Sequence, residues 1–427
     1  MTDTTFLGYG QGELRMEGVP LADLAERLGT PFFLISESRL AANYRALERG
    51  LDGAGPGAVL RYCAKTNHEA AVLSVLAGCG SHLLASHAGE AELAIGCGFP
   101  PERIAYARPV LTPEELDRAV AAGISLFHVH HLEDLPLLAD AAVRAGRRLR
   151  LSFRLRDGGG GISPLGRLNR RMGLDASEIV ESVRRAASSP GLEPWAVNFY
   201  LGTQQSSLDG FTRVFRGVLA LLGRIAAETG VALREVNLGG GIPSPSLRRI
   251  GPRRLLARLR DRFPASGSPG LEELASRLAA RFRELVEEAG LSIPPTLAAE
   301  PGRSIVGDAA VLVSRVRVVR GSWLFLDASR NFLPESPVLF SRRLLPLREA
   351  GVGPERFWNL SGSTLNTLDV LDVRRRLPPM APGDGLAFCD AGAYSISRAS
   401  PYAGLPPAVY LLRPDGTTHL ARPAGRR

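Results

Sequence analysis

Lysine is almost absent from this chain of 427 residues. Its one lysine is Lys65, in the stretch RYCAKTNHEA, and the other 51 of its 52 basic residues are arginine. The arginines are scattered among acids, with no basic run interleaved with aromatics, so the net charge of +9 does not indicate a surface for nucleic acid. Such arginine enrichment is typical of a GC-rich coding bias. The position that kept lysine therefore needs a property that arginine lacks.

Cysteine and long apolar runs are also scarce. Four cysteines without CxxC spacing exclude a disulfide framework and indicate small buried side chains in a reduced compartment. No stretch approaches the roughly 20 apolar residues of a membrane span, and MTDTTFLGYG lacks the features of a secretory signal. The histidines of LFHVHHLEDL suit a strand end and lack the accompanying ligands of a metal site. We therefore expect a cytoplasmic protein without metal, membrane or nucleic acid as a partner.

Short apolar runs alternate with longer amphipathic segments between about residues 30 and 310. The segments, such as TPEELDRAVAAG, begin after Ser, Thr or Asp and end at Gly, as helix capping requires. About eight such units predict parallel strands, and eight favour a closed (β/α)₈ barrel over an open sheet. The runs interpreted as strands are PFFLIS, AVLRYCA, HLLAS, RIAYA, SLFHV, RLRLSFRL, PWAVNFYL, LREVNLGG and PTLAAEPG.

After about residue 310 the pattern changes to short alternating strands separated by turns. AVLVSRVRVVRG, SWLFLDAS, DGLAFCDAGAYS and AVYLLRPDG predict an all-β domain. TTFLGYGQGELRMEGVPL, near the start of the chain, reads as a hairpin of the same domain. We predict a barrel over residues 30–310 and a β-sandwich or Greek-key barrel over 1–29 and 311–427. The Arg- and Pro-rich stretch at 244–270 is interpreted as an insertion.

Lys65 follows the predicted strand AVLRYCA directly. In a barrel of parallel strands, active sites are built at the carboxyl ends of the strands, where the candidate motifs of the first domain all fall. A buried or desolvated lysine amine is neutral near pH 7 and attacks a carbonyl carbon to form a Schiff base. Arginine cannot do so because its guanidinium stays protonated. The alternative is a chance surface lysine.

Other strand ends offer groups suited to a phosphate and a ring. The glycines of VNLGGGIP let backbone N–H groups cradle a phosphate, although a tight turn would explain them equally well. LAAEPGRSIVG supplies an acid, a glycine N–H and an arginine; NFYLGTQ supplies a flat ring and a hydroxyl; CDAGAYSIS supplies a tyrosine. Together with a Schiff-base lysine they describe a pyridoxal phosphate (PLP) site, with the acid at the pyridine nitrogen. These residues are Gly239, Gly240, Gly241, Glu300, Gly302, Arg303, Tyr200, Thr203 and Tyr394.

On these motifs the chain resembles the fold type III PLP enzymes, specifically the diaminopimelate and ornithine decarboxylase family, over about residues 30–415. RYCAKTN is similar to the family's YAVKAN, AVNFYLGTQ to GLHFHIGSQ, AEPGRSIV to its EPGR motif, and DGLAFCDAGAYSISRASPYAG to GDLLAVRDAGAYGFSMASNYN. The resemblance implies an alanine-racemase-like PLP-binding barrel with a C-terminal β-domain, in which Lys65 binds PLP. It also implies a head-to-tail homodimer with shared sites, where Tyr394 reaches the partner's cofactor.

The motifs that contact the substrate in the family are different in this chain. A CESGD-type motif there supplies a cysteine that protonates the carbanion and an acid that grips a distal amine. The aligned stretch SGSTLNTLDVLD has Leu365 and Asn366 at those positions and keeps only Asp369. Ser336 stands in place of an arginine that grips a carboxylate, and Arg330 is a further candidate substrate contact. Leucine has no proton to donate, and asparagine has no charge for an ammonium.

We therefore predict a PLP-dependent decarboxylase with Lys65, Asp369 and Tyr394 as catalytic residues. Its substrate would be an amino acid or derivative other than diaminopimelate or ornithine, in specialised biosynthesis, and its proton donor would be Lys65 or Tyr394. Loss of the cysteine acid also favours epimerisation, elimination or decarboxylation-dependent transamination. A non-catalytic regulatory homologue is a further alternative, against which the retained lysine argues.

Overall fold

The computed structural model describes residues 6–55, 57–156, 171–244, 246–249, 270–335, 340–349 and 354–425. The chain forms two compact units. The barrel unit comprises Asn43–Pro243 and Pro269–Ser304, and the β unit comprises Met1–Ala42, Ser244–Ser268 and Ile305–Arg427. The domain boundaries near residues 30 and 310 remain a prediction, and most of the 244–270 stretch lies outside the described residues. No helix in the described ranges is long and apolar enough to cross a membrane.

Eight parallel strands close into a barrel in the barrel unit, which confirms the predicted (β/α)₈ fold. The strands pair in chain order, and the eighth closes on the first. They are β1 (Val59–Cys63), β2 (His82–Ala85), β3 (Ile104–Tyr106), β4 (Leu126–Val129), β5 (Leu149–Arg154), β6 (Leu192–Asn198), β7 (Glu235–Asn237) and β8 (Thr296–Ala299). Helices that follow the strands are Ala70–Gly78, Ala88–Gly96, Pro113–Ala121, Asp134–Ala145, Ala176–Ala187, Leu208–Thr229, Leu271–Ala289 and, after β8, Arg303–Val306. The helix Glu37–Leu51 precedes β1.

Helix ends in the barrel unit follow the capping chemistry of the sequence. The Thr112 side chain accepts a hydrogen bond from the backbone of Glu115, and Asp175 forms a reciprocal capping box with Glu178. Gly146 and Gly230 end their helices in the left-handed conformation. These local signals explain why helix positions could be predicted well.

The barrel interior contains an ion pair as well as apolar side chains. Cys63, Leu84, Ala105 and Leu126 pack together as one core cluster across β1 to β4. Arg61 lies two residues before Cys63 on β1 and pairs with Glu235 of β7. Both residues are buried and line one cavity with His82 of β2 and Arg150 of β5, so the pair lies inside the barrel.

The β unit is built on a mixed sheet. Its hydrogen-bonded order is Val370–Leu377, Arg356–Ser361, Trp323–Leu326, Ala310–Arg320, Phe32–Ser36, Ala408–Leu412 and Thr418–Arg422. Gly385–Phe388 also pairs with Ala310–Arg320, and Leu344–Pro346 pairs with Gly385–Phe388. Arg248–Arg249 pairs with Phe340–Ser341. The all-β character predicted after residue 310 is confirmed.

One predicted barrel strand, PFFLIS, lies in the β unit. Phe32–Ser36 pairs in parallel with Ala408–Leu412 and antiparallel with Ala310–Arg320. All five of its residues are buried. A fully apolar run is typical of a barrel strand and equally of a central strand in any covered sheet, so the predicted position was wrong although the strand is real.

The start of the chain forms the predicted hairpin. Leu7–Gly10 pairs with Glu13–Met16, which pairs in turn with Val19–Pro20. The helix Leu21–Leu28 follows. Leu14, Met16 and Leu21 are fully buried in one core cluster that also includes Phe32, Val311 and Val313, so this segment belongs to the core of the β unit.

Candidate active site

Lys65 occupies a short 3₁₀ turn, Ala64–Thr66, at the carboxyl end of β1. Thr66 and Asn67 beside it are buried, and the Tyr62 hydroxyl donates a hydrogen bond of 2.8 Å to the Asn67 carbonyl oxygen. The Lys65 side chain is exposed, which differs from the buried setting considered for it in the sequence. A rigid turn therefore presents this amine where a small molecule can reach it.

The end of β8 packs closely against the Lys65 turn. The backbone N–H of Cys63 donates to the Pro301 carbonyl oxygen at 3.1 Å. A Cβ on Gly302 would lie closer than 3.0 Å to the Thr66 hydroxyl, so no larger residue fits without displacing the turn. The lysine motif and the AEPGR motif are thus brought together, as the sequence predicted from their strand ends.

Three glycines after β7 form a turn with no room for side chains. A Cβ on Gly239, Gly240 or Gly241 would lie closer than 3.0 Å to a backbone oxygen, from Phe199, Glu300 and Gly202 respectively. Gly239 and Gly241 also have positive φ values of 67° and 100°, which strain other residues. The turn therefore packs closely against the segment that follows β6 and the segment that follows β8.

Tyr200 and Thr203 lie in the segment that packs on this glycine turn. The backbone N–H of Gln205 donates to the Gly241 carbonyl oxygen at 2.9 Å. The Arg154 guanidinium of β5 lies 5.7 Å from the centre of the Tyr200 ring. The structure thus places the Tyr200 ring and the backbone on either side of Thr203 beside the predicted phosphate cradle.

Glu300 is a buried carboxylate at the end of β8. Its Oε1 accepts a hydrogen bond of 2.6 Å from Asn237 Nδ2 and lies 3.2 Å from His128 Nε2. Burial raises the pKa of Glu300, but the charges of His128 and Arg61 and the bonds from His128 and Asn237 outweigh it and lower the pKa to about 2. The carboxylate is therefore ionised at neutral pH and suited to hold a protonated ring nitrogen.

His128, Arg154 and Asn237 are site residues that the sequence reasoning missed. His128 belonged to the LFHVHH cluster, whose strand-end position was the only signal for its role. The neighbouring His130 is buried with neither ring nitrogen hydrogen-bonded in the described structure. Burial, with the nearby charges of His128 and Arg154, lowers the pKa of His130 to about 3, so that its ring is neutral.

Asp369 lies in the β unit and is buried inside its own loop. Its carboxylate accepts hydrogen bonds from the Ser329 hydroxyl (3.1 Å), the Arg330 backbone (2.7 Å), and the backbone and hydroxyl of Thr364 (3.0 and 2.6 Å). A Cβ on Gly362 would collide with it. The side chain thus holds the loop together, and its predicted catalytic role stays a prediction.

Leu365 and Asn366 lie at the tip of the same loop. Leu365 is fully exposed (104%) and Leu368 is 67% exposed. The Asn366 side-chain oxygen accepts from the Leu368 backbone at 3.0 Å, which forms a local turn. Neither tip residue carries a charge or an acidic proton.

Arg303, at the start of the short helix after β8, belongs to the barrel unit, whereas Arg330 and Tyr394 fall in the β unit. The Arg330 guanidinium lies 3.4 Å from the Leu368 carbonyl oxygen. Tyr394 is half-buried and has a φ of 54°, a conformation uncommon outside glycine. Ser336 lies outside the described residues.

A family model supplies the decisive comparison. The model described as "pyridoxal-dependent decarboxylase, pyridoxal binding domain" matches residues 38–307. The chain belongs to this family. It is a PLP-dependent carboxy-lyase that acts on amino acids.

Individual members of the pyridoxal-dependent decarboxylase family resemble the chain along most of its length. The diaminopimelate decarboxylase of Pseudomonas aeruginosa is 30% identical over 97% of this chain and 95% of its own. That of Methanothermobacter thermautotrophicus is 29% identical over 96% and 93%. The crystal structure of the M. jannaschii diaminopimelate decarboxylase with L-lysine superposes with a TM-score of 0.86 at 22% identity, covering 99% and 96% of the two chains, which confirms the fold.

The barrel unit of this decarboxylase has the groups that PLP requires. In the glycine turn the Gly239 N–H donates to Asn237, and the N–H groups of Gly240 and Gly241 are the ones suited to a phosphate. A buried ionised carboxylate suits a pyridinium nitrogen, and the exposed Lys65 amine suits an aldehyde carbon. The donor set therefore fits the cofactor of the family.

Proposed function

We propose that this decarboxylase acts on an amino acid, or an amino-acid derivative, whose distal end carries no ammonium group. The observation that supports this is the composition of the loop 362–369. Its only acid, Asp369, has both carboxylate oxygens committed to hydrogen bonds, Oδ1 with residues 329–330 and Oδ2 with Thr364, and its tip offers Leu365 and Asn366. An ammonium desolvated against such a tip would lack a counter-charge. A role in specialised biosynthesis rather than in diaminopimelate or ornithine turnover follows from this substrate class.

The barrel unit would supply the cofactor half of the reaction. In this proposal Lys65 binds the PLP aldehyde carbon, and the glycine turn, Gly302, Arg303 and Thr203 hold the phosphate. When bound, PLP draws off the electron pair left on the α-carbon as CO₂ departs. Glu300 keeps the proton on the ring nitrogen, because its own pKa near 2 leaves it ionised. Tyr200 packs against the ring face.

Protonation of the product needs a donor other than residue 365. Leucine at that position has no exchangeable proton. Lys65 and Tyr394 are the candidates we propose, because both carry ionisable protons and both belong to the predicted site. None of the four cysteines, all in described parts of the chain, forms a disulfide, which supports action in a reducing cytoplasm.

A panel of amino acids tests the substrate class. CO₂ would be trapped from aliphatic, aromatic and distally amidated amino acids, and from lysine, ornithine and diaminopimelate, with products identified by mass spectrometry. We expect the fastest release from substrates without a distal ammonium. Fastest release from diaminopimelate or ornithine would refute the proposed class, and products that retain the α-carboxylate would favour epimerisation or elimination instead.

The variant Asn366→Glu tests the proposed substrate class by a change in the protein. A carboxylate at the exposed tip supplies a charge for an ammonium, so preference is expected to shift toward lysine and ornithine. Thr367→Glu adds the same charge to the exposed neighbouring residue and serves as the control. An unchanged profile in Asn366→Glu would mean that residue 366 does not face the substrate.

We propose that the chain forms a homodimer through the apolar side chains of this loop. Tyr402 (61%) and Leu405 (69%) are exposed apolar side chains of the β unit, as Leu365 and Leu368 are. Exposed apolar side chains in this number support a contact surface. Light scattering should give about twice the chain mass of 45.7 kDa. Leu368→Asp should increase the monomer fraction, whereas Val143→Asp, at an exposed apolar position of the barrel unit, should not. A monomeric wild-type chain would refute the proposal.

A further inference from the structure

Asn237 connects two separate parts of the candidate site. It is the last residue of β7 and is fully buried. Its Oδ1 accepts a hydrogen bond of 2.8 Å from the Gly239 backbone N–H, and its Nδ2 donates one of 2.6 Å to Glu300 Oε1. The orientation of the amide is fixed chemically, because a backbone N–H can only donate and an ionised carboxylate can only accept.

The two groups held by Asn237 face opposite ends of the cofactor in the proposed function. Gly239 begins the turn that would hold the phosphate, and Glu300 would hold the ring nitrogen. A backbone bond of 2.8 Å from the Glu300 N–H to the Gly239 carbonyl oxygen ties the same two residues. Because the ring of PLP is rigid, the spacing between its two binding groups has to match the cofactor before it arrives.

We propose that Asn237 is a positioning residue that sets the spacing and the charge of the PLP site, an inference that rests on the proposed function. A neutral amide is the group that satisfies both neighbours, since it offers one acceptor and one donor. Leucine has a similar size but would leave the buried Gly239 N–H without its acceptor and would remove the amide donor from Glu300 Oε1, which would keep only His128.

The variant Asn237→Asp distinguishes positioning from simple packing. The carboxyl group that it introduces would lie at hydrogen-bond distance from Glu300, and two such acids share one proton with one strongly raised pKa. Below that raised pKa the protonated pair keeps a donor toward Glu300 and an acceptor toward Gly239. As the pH rises through it the pair becomes a double anion, and the donor is lost.

The test measures PLP binding directly. PLP would be removed from the full-length chain with hydroxylamine and titrated back by absorbance and fluorescence, from about pH 6 to about pH 9. Asn237→Leu is expected to weaken binding at least about tenfold at every pH. Asn237→Asp should bind almost as the wild type does at the acidic end and weaken progressively as the pH rises. Asn198→Leu removes another buried barrel amide, bonded to Ser152, and should change PLP affinity less than about threefold.

The outcomes separate the two proposals. Wild-type affinity in Asn237→Leu, or a pH dependence of Asn237→Asp that parallels the wild type, would overturn the positioning role. Should Asn237→Leu fail to fold, the comparison of Asn237→Asp with the wild type across pH still decides. A wild-type chain that binds PLP but releases no CO₂ from any amino acid would overturn the proposed function alone.

Discussion

Replacing Lys65 by arginine should lower CO₂ release by on the order of a thousandfold or more and leave the fold intact. The side chain is exposed, so the larger guanidinium has room and incurs little desolvation. It stays protonated, however, and cannot form a bond to the PLP aldehyde. Borohydride treatment followed by peptide mass spectrometry should attach PLP to the Lys65 peptide of the wild type only. Thermal melting should be unchanged within a few degrees.

The control for this variant replaces an arginine by lysine elsewhere in the chain. Arg45→Lys alters an exposed arginine that pairs with Glu48 on a helix surface and should affect neither activity nor melting. Substantial activity in Lys65→Arg would mean that the amine is dispensable. The retained lysine would then be a coincidence of composition.

Removing Arg61 should destabilise the chain by about 3–5 kcal/mol. Arg61 and Glu235 are both buried and share two hydrogen bonds of 2.8 and 2.7 Å inside the barrel. Arg61→Met leaves the Glu235 carboxylate buried without its partner, which costs far more than the lost pair itself. Denaturant titration of the variant should show the loss as a lower transition midpoint.

The double variant isolates the reason for that loss. Arg61→Met with Glu235→Leu removes both charges together and should recover stability to within about 1–2 kcal/mol of the wild type. A small loss in the single variant would mean that water reaches Glu235. The adjoining cavity of about 230 Å³, which these two residues line with His82, Arg150 and Trp195, is where that water would enter.

The site could be predicted where its chemistry is local in the chain. Lys65, the glycine turn and Glu300 each follow a strand directly, so the barrel topology alone brings them to one end. The Arg61–Glu235 pair could not be predicted, because strands buried on both faces do not reveal which side chains point inward. His128 was visible as a strand-end histidine, but its partner Glu300 lies far away in the chain.

The loop that carries Asp369 contains contacts that the sequence did not reveal, while the catalytic role predicted for Asp369 stays a prediction. An acid surviving in an otherwise diverged motif is naturally interpreted as a reacting group. Its four hydrogen bonds form only where residues 329–330 pack against residues 362–364. No local sequence pattern predicts that contact. The strand PFFLIS was misplaced for the same reason, since its neighbours come from opposite ends of the chain.

The loop 362–369 contains one side chain that its fold requires and two that its fold does not require. One buried carboxylate fixes its frame, while Leu365 and Leu368 at the tip contribute almost nothing to any core. Apart from their effect on the proposed homodimer, substitutions at the tip therefore cost the folded chain little stability and leave the cofactor groups of the barrel untouched. Under the proposed function, a scaffold arranged in this way would explore new substrates by single mutations, without the compensating changes that a buried binding pocket would demand.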